Sequence, residues 1–422
     1  MIARQRALFA VPGFTRLLLA AVLGRLPSGM FSLALLLFVR ARTGSFLTAG
    51  LAVGAFTLAG AIAGPALGAL VDRVGQTRVL LASAGAQAAA LVALALLGGA
   101  HAGAPALLAL AALAGACQPP IAGCVRALWP HVVGDGEALQ SAYALDATSQ
   151  EVIWTLGPLL VAGAAGLASP TWALLACAAI TLAGTLFFAG SRISSGWRAD
   201  ASARASASAL CSRGLLALLG TVAFAGVVIG AVEVGLTAFA AEHGSRWSAG
   251  PLLALFSLGS MAGGLAYAAR GWRLAPGARY RALLAAMALA VVPLILVRSL
   301  PGAFALSLLA GLALAPMLTA QFALVGALAP AGTTTEAFTW QRAATIGGMA
   351  AGSALGGSAI AAHGTHGAFA LGCAGVALAC ALATLWRRRI DPDAYSGGRA
   401  SSASVNAGSW PNVRRRRARS AP

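Results

Sequence analysis

The stretch Gly68-Ala69-Leu70-Val71-Asp72-Arg73-Val74-Gly75-Gln76-Thr77-Arg78 decides how this sequence is read. Long apolar runs lie on both sides of it, so its charges stand at the margin between two helices. Glycine at 68 permits a close approach, and glycine at 75 permits a tight turn. An aspartate at the end of an apolar helix is costly unless it meets a cation or the N-terminus of another helix. Asp72 therefore needs a partner, and Arg126, at the end of a later apolar run, is the candidate.

Outward from this loop, the chain of 422 residues is 59% apolar and 9% charged. Soluble domains run at roughly 45–50% apolar and need more polar surface than this chain has. Lipid removes that need. A bilayer core takes about 20 apolar residues per helix. Candidate runs number twelve: Phe14–Val39, Phe46–Val71, Val79–Ala100, Pro105–Leu128, Ala138–Gly163, Thr171–Ala189, Leu215–Ala240, Gly250–Ala269, Tyr280–Val297, Gly302–Leu328, Glu336–Ala361 and Gly367–Trp386. The expected fold class is an all-α polytopic membrane protein with twelve transmembrane helices in two six-helix bundles. Arg4 and Arg6 precede the first run without a small-residue cleavage site, so that run is expected to stay as an anchor.

The formal net charge is +18, and all 29 basic residues are arginine. They lie between apolar runs or in the tails rather than on one aromatic-interleaved face, so nucleic acid is not the expected partner. With the N-terminus inside, twenty-three arginines fall on the cytoplasmic side. Only Arg40, Arg42, Arg246 and Arg298 fall outside, and Arg25 and Arg342 lie within helices. This predicts both termini in the cytoplasm. Lacking lysine, the chain has neither a P-loop motor nor Schiff-base chemistry. The six cysteines are scattered and suggest neither a disulfide framework nor a metal site. His363 and His366 lack a third ligand, and no metal or other cofactor is expected. Trp129, Trp172, Trp247, Trp272 and Trp386 fall near helix ends, where interface anchoring is expected.

The polar stretch 191–213 divides the chain into a bundle over 1–190 and a second over 214–386. Residues 387–422 form a basic tail too polar to bury a core. A faint repeat at an offset of 200 pairs Ala49-Gly50, Phe56, Leu58 and Gly64 with Ala249-Gly250, Phe256, Leu258 and Gly264.

Set in this frame, the loop resembles the signature of the major facilitator superfamily, Gly-x-Leu-Ala-Asp-Arg-x-Gly followed by basic residues. Gly68, Leu70, Asp72, Arg73, Gly75 and Arg78 fit; Gln76 and Thr77 stand where basic residues are usual. The resemblance implies that this cluster, with Arg126, latches the inner gate in one conformation. Gly157-Pro158 followed by Gly163 partly resembles a fifth-helix motif of the superfamily's exporters, with Ile153 in place of its upstream glycine. In the fourth helix Gly115 stands where many members carry an arginine, so proton coupling through that position is not carried over. The family also implies that the first, fourth, seventh and tenth helices line a central cavity.

Charges within the membrane mark candidate working residues. Arg25 lies roughly 16 Å into the first helix, and Glu233 lies deep in the seventh. The fifth helix adds Asp146, Gln150 and Glu151; the first two share a face and the third lies off it. Either Glu233 or Glu151 carries a proton, or Arg25 pairs with Glu151 or Asp146 as a structural bridge. Arg342 reaches the inner cavity or the surroundings of Glu336, which itself reads as a helix N-terminal charge. Two ladders, Gly60/Gly64/Gly68 and Gly348/Gly352/Gly356, present small faces for close helix packing.

The expected function is secondary transport across the cytoplasmic membrane by alternating access, as proton-coupled export of an amphipathic or drug-like small molecule. The expected state is a monomer in the bilayer. Uptake of a polar nutrient by symport is the alternative, and a membrane enzyme or a non-transporting sensor is a distant one. The histidines lie in or beside loops rather than beside carboxylates in the bilayer, so no catalytic set is expected.

Overall fold

Apolar runs become helices here because a chain in lipid must satisfy its own backbone hydrogen bonds. The computed structural model describes residues 8–97, 103–197, 208–243, 248–270 and 274–391. Arg4, Arg6, His101, the linker residues 198–207, Arg246, Trp247, Trp272, Arg273 and the tail from 392 lie outside the described residues.

The first half holds α1 (Phe14–Thr43), α2 (Phe46–Val74), α3 (Gln76–Leu97), α4 (Ala104–Ala116), α5 (Ile121–Val133), α6 (Glu137–Leu167) and α7 (Pro170–Ala189). A short α8 (Arg192–Gly196) opens the linker. The second half holds α9 (Arg213–Glu242), α10 (Ala249–Ala269), α11 (Pro276–Ile295), α12 (Leu300–Gly311), α13 (Leu314–Leu328), α14 (Thr334–His363) and α15 (Thr365–Leu385). A four-residue α16 (Arg387–Ile390) follows. Ser45 caps α2 by accepting from the Thr48 N–H at 3.2 Å. Gly75 takes φ 101° where α2 gives way to α3, a backbone setting that favours glycine.

Two of the expected continuous runs are broken, the fourth and the tenth. Pro119 and Pro120 supply no N–H between α4 and α5, so the helix stops at Ala116 and restarts at Ile121. Pro316 sits in the first turn of α13, where its ring would clash with the Leu312 carbonyl of a continuous helix. Counting each broken pair as one span, eleven spans among the described residues are long and apolar enough to cross a membrane. The remaining helix, α14, has 30 residues. Glu336, Gln341, Arg342 and a series of threonines and serines make it too polar to stand out by composition. It packs between α2 and α9 and is the twelfth span of an all-α polytopic fold.

Two large apolar cores, with a small cluster of Ala144, Tyr267 and Ala268 between α6 and α10, divide the described residues. One lies wholly in the first half, at the end of the molecule away from the Gly68–Arg78 loop, around Phe31, Leu35, Phe38, Phe56, Leu91 and Leu107. The other runs through the second half and continues into the first half only at the loop end, through Leu17, Val71, Val79, Trp129 and Tyr143. The halves therefore share a core at the loop end and have separate cores at the other. Leu47, Ile62, Leu96, Leu167 and Leu289 are among many exposed large apolar side chains, a surface suited to lipid rather than water. Trp129 departs from its expected interfacial place: it is fully buried, its ring 5.1 Å from that of Phe14. Trp172 is exposed as an interfacial ring would be.

Candidate functional site

Asp72 ends α2 with its carboxylate aimed at the start of α14. Its Oδ1 accepts from the Thr335 N–H at 3.2 Å and its Oδ2 from the Glu336 N–H at 2.9 Å. The first amides of a helix have no intrahelical acceptor, and the helix dipole adds positive potential there. Asp72 thus finds the second of its two possible partners. Arg126 is not that partner, which corrects the expectation from sequence. Gly68 makes the approach possible, since a Cβ there would lie 2.5 Å from Thr339 Oγ1 and 3.0 Å from Glu336 Cα. Gly123 on α5 abuts the same turn of α14, with a Cβ position 3.2 Å from the Thr335 carbonyl oxygen. Glu336 accepts a hydrogen bond from Ser208, where the described linker resumes. Arg73 and Arg78 are exposed, with no ion pair among the described residues, and Leu70 is exposed as well.

Gln76 is buried because it stitches the loop to its own half. Its Nε2 donates to the Cys124 carbonyl at 3.2 Å and its Oε1 accepts from Ser194 Oγ at 2.9 Å. A basic side chain would supply no acceptor for Ser194, which accounts for the departure from the usual pattern.

The seam between the halves continues along α6 and α10. Ser141 Oγ donates to the Ala268 carbonyl at 3.2 Å, a Cβ on Gly264 would lie 2.5 Å from Thr148 Oγ1, and Ser260 Oγ donates to Glu151 Oε1 at 2.9 Å. On α13, Gly326 leaves room for the Tyr143 hydroxyl, 3.0 Å from its Cβ position. These contacts begin at the loop end and run inward.

Arg126 turns instead toward the middle of the first half. Its Nε donates to Asp146 Oδ2 at 2.8 Å and its Nη2 to Gln150 Oε1 at 3.1 Å. Its guanidinium carbon lies 3.7 Å from the centroid of the Phe322 ring, a cation–π contact across the seam. Arg25 Nη1 lies 2.9 Å from Asp146 Oδ1, an ion pair outside hydrogen-bond alignment. Its Nε donates to the Ala21 carbonyl and its Nη2 to Ser149 Oγ, at 3.0 and 2.9 Å. One fully buried aspartate therefore serves two arginines from α1 and α5. Of the two carboxylates open to Arg25, the structure selects Asp146, which shares a helix face with Gln150. Glu151 lies off that face and reaches α10.

Arg342 joins this group from the second half. It is half-buried and has no hydrogen bond or ion pair among the described residues, but it lies close enough to Arg126 and Arg25 for electrostatic interaction. It sits one turn beyond Phe338 on α14, whose ring centroid is 6.0 Å from the Arg126 guanidinium carbon. Glu233 stands apart. Its side chain is exposed on α9, and Thr237 Oγ1 bonds only its backbone carbonyl.

The glycines meet different neighbours. Gly157, followed by Pro158, packs α6 on α1, where its Cβ position lies 2.5 Å from the Gly29 carbonyl carbon. Gly163 has nothing within 4 Å. Gly348 and Gly352 press against the Ala223 and Val227 carbonyls of α9, and Gly356 lies 3.5 Å from Ala231 Cα. Gly60, Gly64 and Gly68 do not act as one face: Gly60 meets Gly115, Gly64 meets nothing, and Gly68 meets α14. Sequence reasoning missed Ser141, Ser208, Ser260 and Tyr143. Serine and tyrosine are common in any helix, and nothing about their spacing singles them out.

A family model described as Major Facilitator Superfamily matches residues 17–303. The uncharacterized MFS-type transporter y4rN of Sinorhizobium fredii (strain NBRC 101917 / NGR234) is 34% identical over 167 residues. That match spans 39% of this chain and 41% of the relative. The crystal structure of the human organic anion transporter MFSD10 (TETRAN) superposes with a TM-score of 0.66 at 19% identity, over 87% of this chain and 99% of that one. A bacterial homologue of the iron transporter ferroportin, crystallised in an outward-facing state, superposes with a TM-score of 0.71 at 16% identity, over 88% and 98%.

Proposed function

The chain belongs to the major facilitator superfamily, and from that premise we propose that it is a secondary active transporter working by alternating access. The proposed units are a first bundle over 1–190, a linker over 191–213, a second bundle over 214–386 and a basic tail over 387–422. The protein sits in the cytoplasmic membrane as a monomer with both termini inside. The loop at Gly68–Arg78 then lies on the cytoplasmic face, and the conformation described is closed there and open to the outside.

The observation that carries this reading is the division of the cores. Among the described residues the large apolar core joins the halves at the loop end, from which the α6–α10 contacts run inward, and the far end of the first half keeps a core of its own. Two bodies joined at one end are what rocking about a central site requires. Asp72 with Gly68, Gly75 and the first turn of α14 forms the latch. Its two backbone hydrogen bonds can be exchanged for water when the seam parts.

Export of an amphipathic compound in exchange for protons is the direction and coupling we propose. Phe322, Phe338 and Tyr143 gather within 6.4 Å of one another, centroid to centroid, beside Arg126. Buried together here, they would be bared as apolar surface next to charge when the seam parts, as amphipathic ligands require. Glu151 is the preferred proton carrier over Glu233. It is buried, lacks an ion pair among the described residues, and touches the opposite half through Ser260, so its charge state bears directly on the seam.

The test is accumulation of a panel of amphipathic dyes and drugs in cells with and without the protein, repeated with a protonophore. Lowered accumulation that the protonophore abolishes is expected. Equal accumulation in both cells overturns the transport reading, and protonophore-insensitive export overturns the coupling. In proteoliposomes, Glu151→Gln should remove dependence on the pH gradient while Glu233→Gln leaves it.

A further inference from the structure

The charges in the middle of the molecule do not balance. Arg25, Arg126 and Arg342 gather around Asp146, and each of the two carboxylate oxygens of that aspartate is already taken. The other nearby carboxylates are committed elsewhere: Glu151 to Ser260, Asp72 to the α14 N-terminus, and Glu336 to Ser208. Counted from the loop end of their helices at 1.5 Å per residue, all four charged groups sit about 10–16 Å deep. Charges at that depth are expensive and are kept when they pair or do work. Arg25 and Arg126 pair with protein groups. Arg342 is half-buried and has no hydrogen bond or ion pair among the described residues.

We propose that Arg342, backed by Arg25 and Arg126, is the binding site for the oxyanion of a small organic anion, such as a carboxylate, sulfonate or phosphate on an apolar scaffold. The inference rests on the transporter reading above and names its substrate class.

The geometry gives each part a role. Asp146 fixes Arg25 and Arg126, so their positive potential is set in place before a ligand arrives. The Arg342 guanidinium keeps all five N–H donors available, in a fork that matches two oxygens of an oxyanion at once. Phe322 and Phe338 are buried beside the cluster and make its surroundings apolar, which strengthens the pull of its charges on an anion. The partners come from both halves: Arg25 and Arg126 from the first, Arg342 from α14 of the second. An anion bound among them is held by groups that move relative to one another during rocking, so its binding can be felt by the seam.

Binding can be measured without turnover. The full chain in phosphatidylcholine nanodiscs would be titrated with radiolabelled benzoate, benzenesulfonate and phenyl phosphate. The neutral benzamide and the cationic benzamidine would serve as isosteres, and empty nanodiscs as the blank. Saturable binding of at least one anion, ten-fold or more tighter than both isosteres, is expected. Arg342→Gln should weaken that anion ten-fold or more with a nearly unchanged melting temperature, because no hydrogen bond or ion pair among the described residues is lost, and Arg342→Lys should restore part of the affinity. Equal binding of the anionic, neutral and cationic probes, no saturable anion binding at all, or full anion affinity in Arg342→Gln each overturns the site. None of these outcomes touches the dye-accumulation test, so the two readings fail separately.

Discussion

The first turn and the middle of α14 hold their neighbours by different physics. At its first turn, α14 meets α2 through two backbone N–H groups on Asp72 and a close approach at Gly68. Farther along, Gly348 and Gly352 press against carbonyl groups of α9, and Gly226 returns the contact with a Cβ position 2.7 Å from the Thr345 carbonyl oxygen. The second contact is dry backbone against dry backbone, with nothing that water could replace. The first is a pair of exchangeable hydrogen bonds at the membrane margin. One helix thus carries a backbone-packed joint within its own half and, across the seam, the hydrogen-bonded joint that the proposed latch would release.

The buried charges divide in the same way, and that is where the largest effect is expected. Asp146 is a permanent joint of the first half, so Asp146→Asn leaves Arg25 and Arg126 without their counter-ion. Removing one member of a buried ion network costs about 3–5 kcal/mol, and the melting temperature in detergent should fall sharply. An unchanged melt would mean that the cluster is already hydrated. Next comes Gly352→Leu, which drives a side chain into the Val227 carbonyl. Overpacking costs about 1–3 kcal/mol, read as loss of the monodisperse peak in size exclusion; a normal peak would show that α9 and α14 can part.

Asp72→Asn should act on the releasable joint alone. Helix N-terminal charge contributes about 0.3–1 kcal/mol, up to about 2 in partly buried settings. The seam should open roughly two- to thirty-fold more often, with membrane insertion intact and transport impaired. Alkylation of a cysteine at Ser141, in a background without the native cysteines, reports the opening; unchanged labelling together with normal transport sinks the latch. The smallest effect is expected at Gly64, which has open space around it. Gly64→Ala should shift stability by less than about 0.5 kcal/mol, and a larger loss would show a packing partner in the other conformation.

The comparison also explains what could be read in advance. Helix positions were legible because lipid makes each span satisfy itself, so its signal is local. The broken fourth and tenth spans had signals too, in Pro119-Pro120 and Pro316, but the apolar runs read straight across them. The site was legible in membership and not in pairing. Arg25, Arg126, Asp146, Gln150, Glu151 and Arg342 stand out as charged or polar residues in apolar surroundings. Their partners depend on how helices are rotated against one another, which no single span encodes.

By itself, the sequence determined a membrane chain of helices, a basic loop with two glycines, and an aspartate in need of a partner. The tertiary structure alone decided who that partner is. Asp72 takes the amides of Thr335 and Glu336, more than 260 residues away along the chain. Arg126, the charged side chain that sequence offered, is held by Asp146 instead. The physical reason is that a helix N-terminus carries positive potential in its backbone, where residue letters do not show it, and it becomes a partner only once folding brings it to the carboxylate.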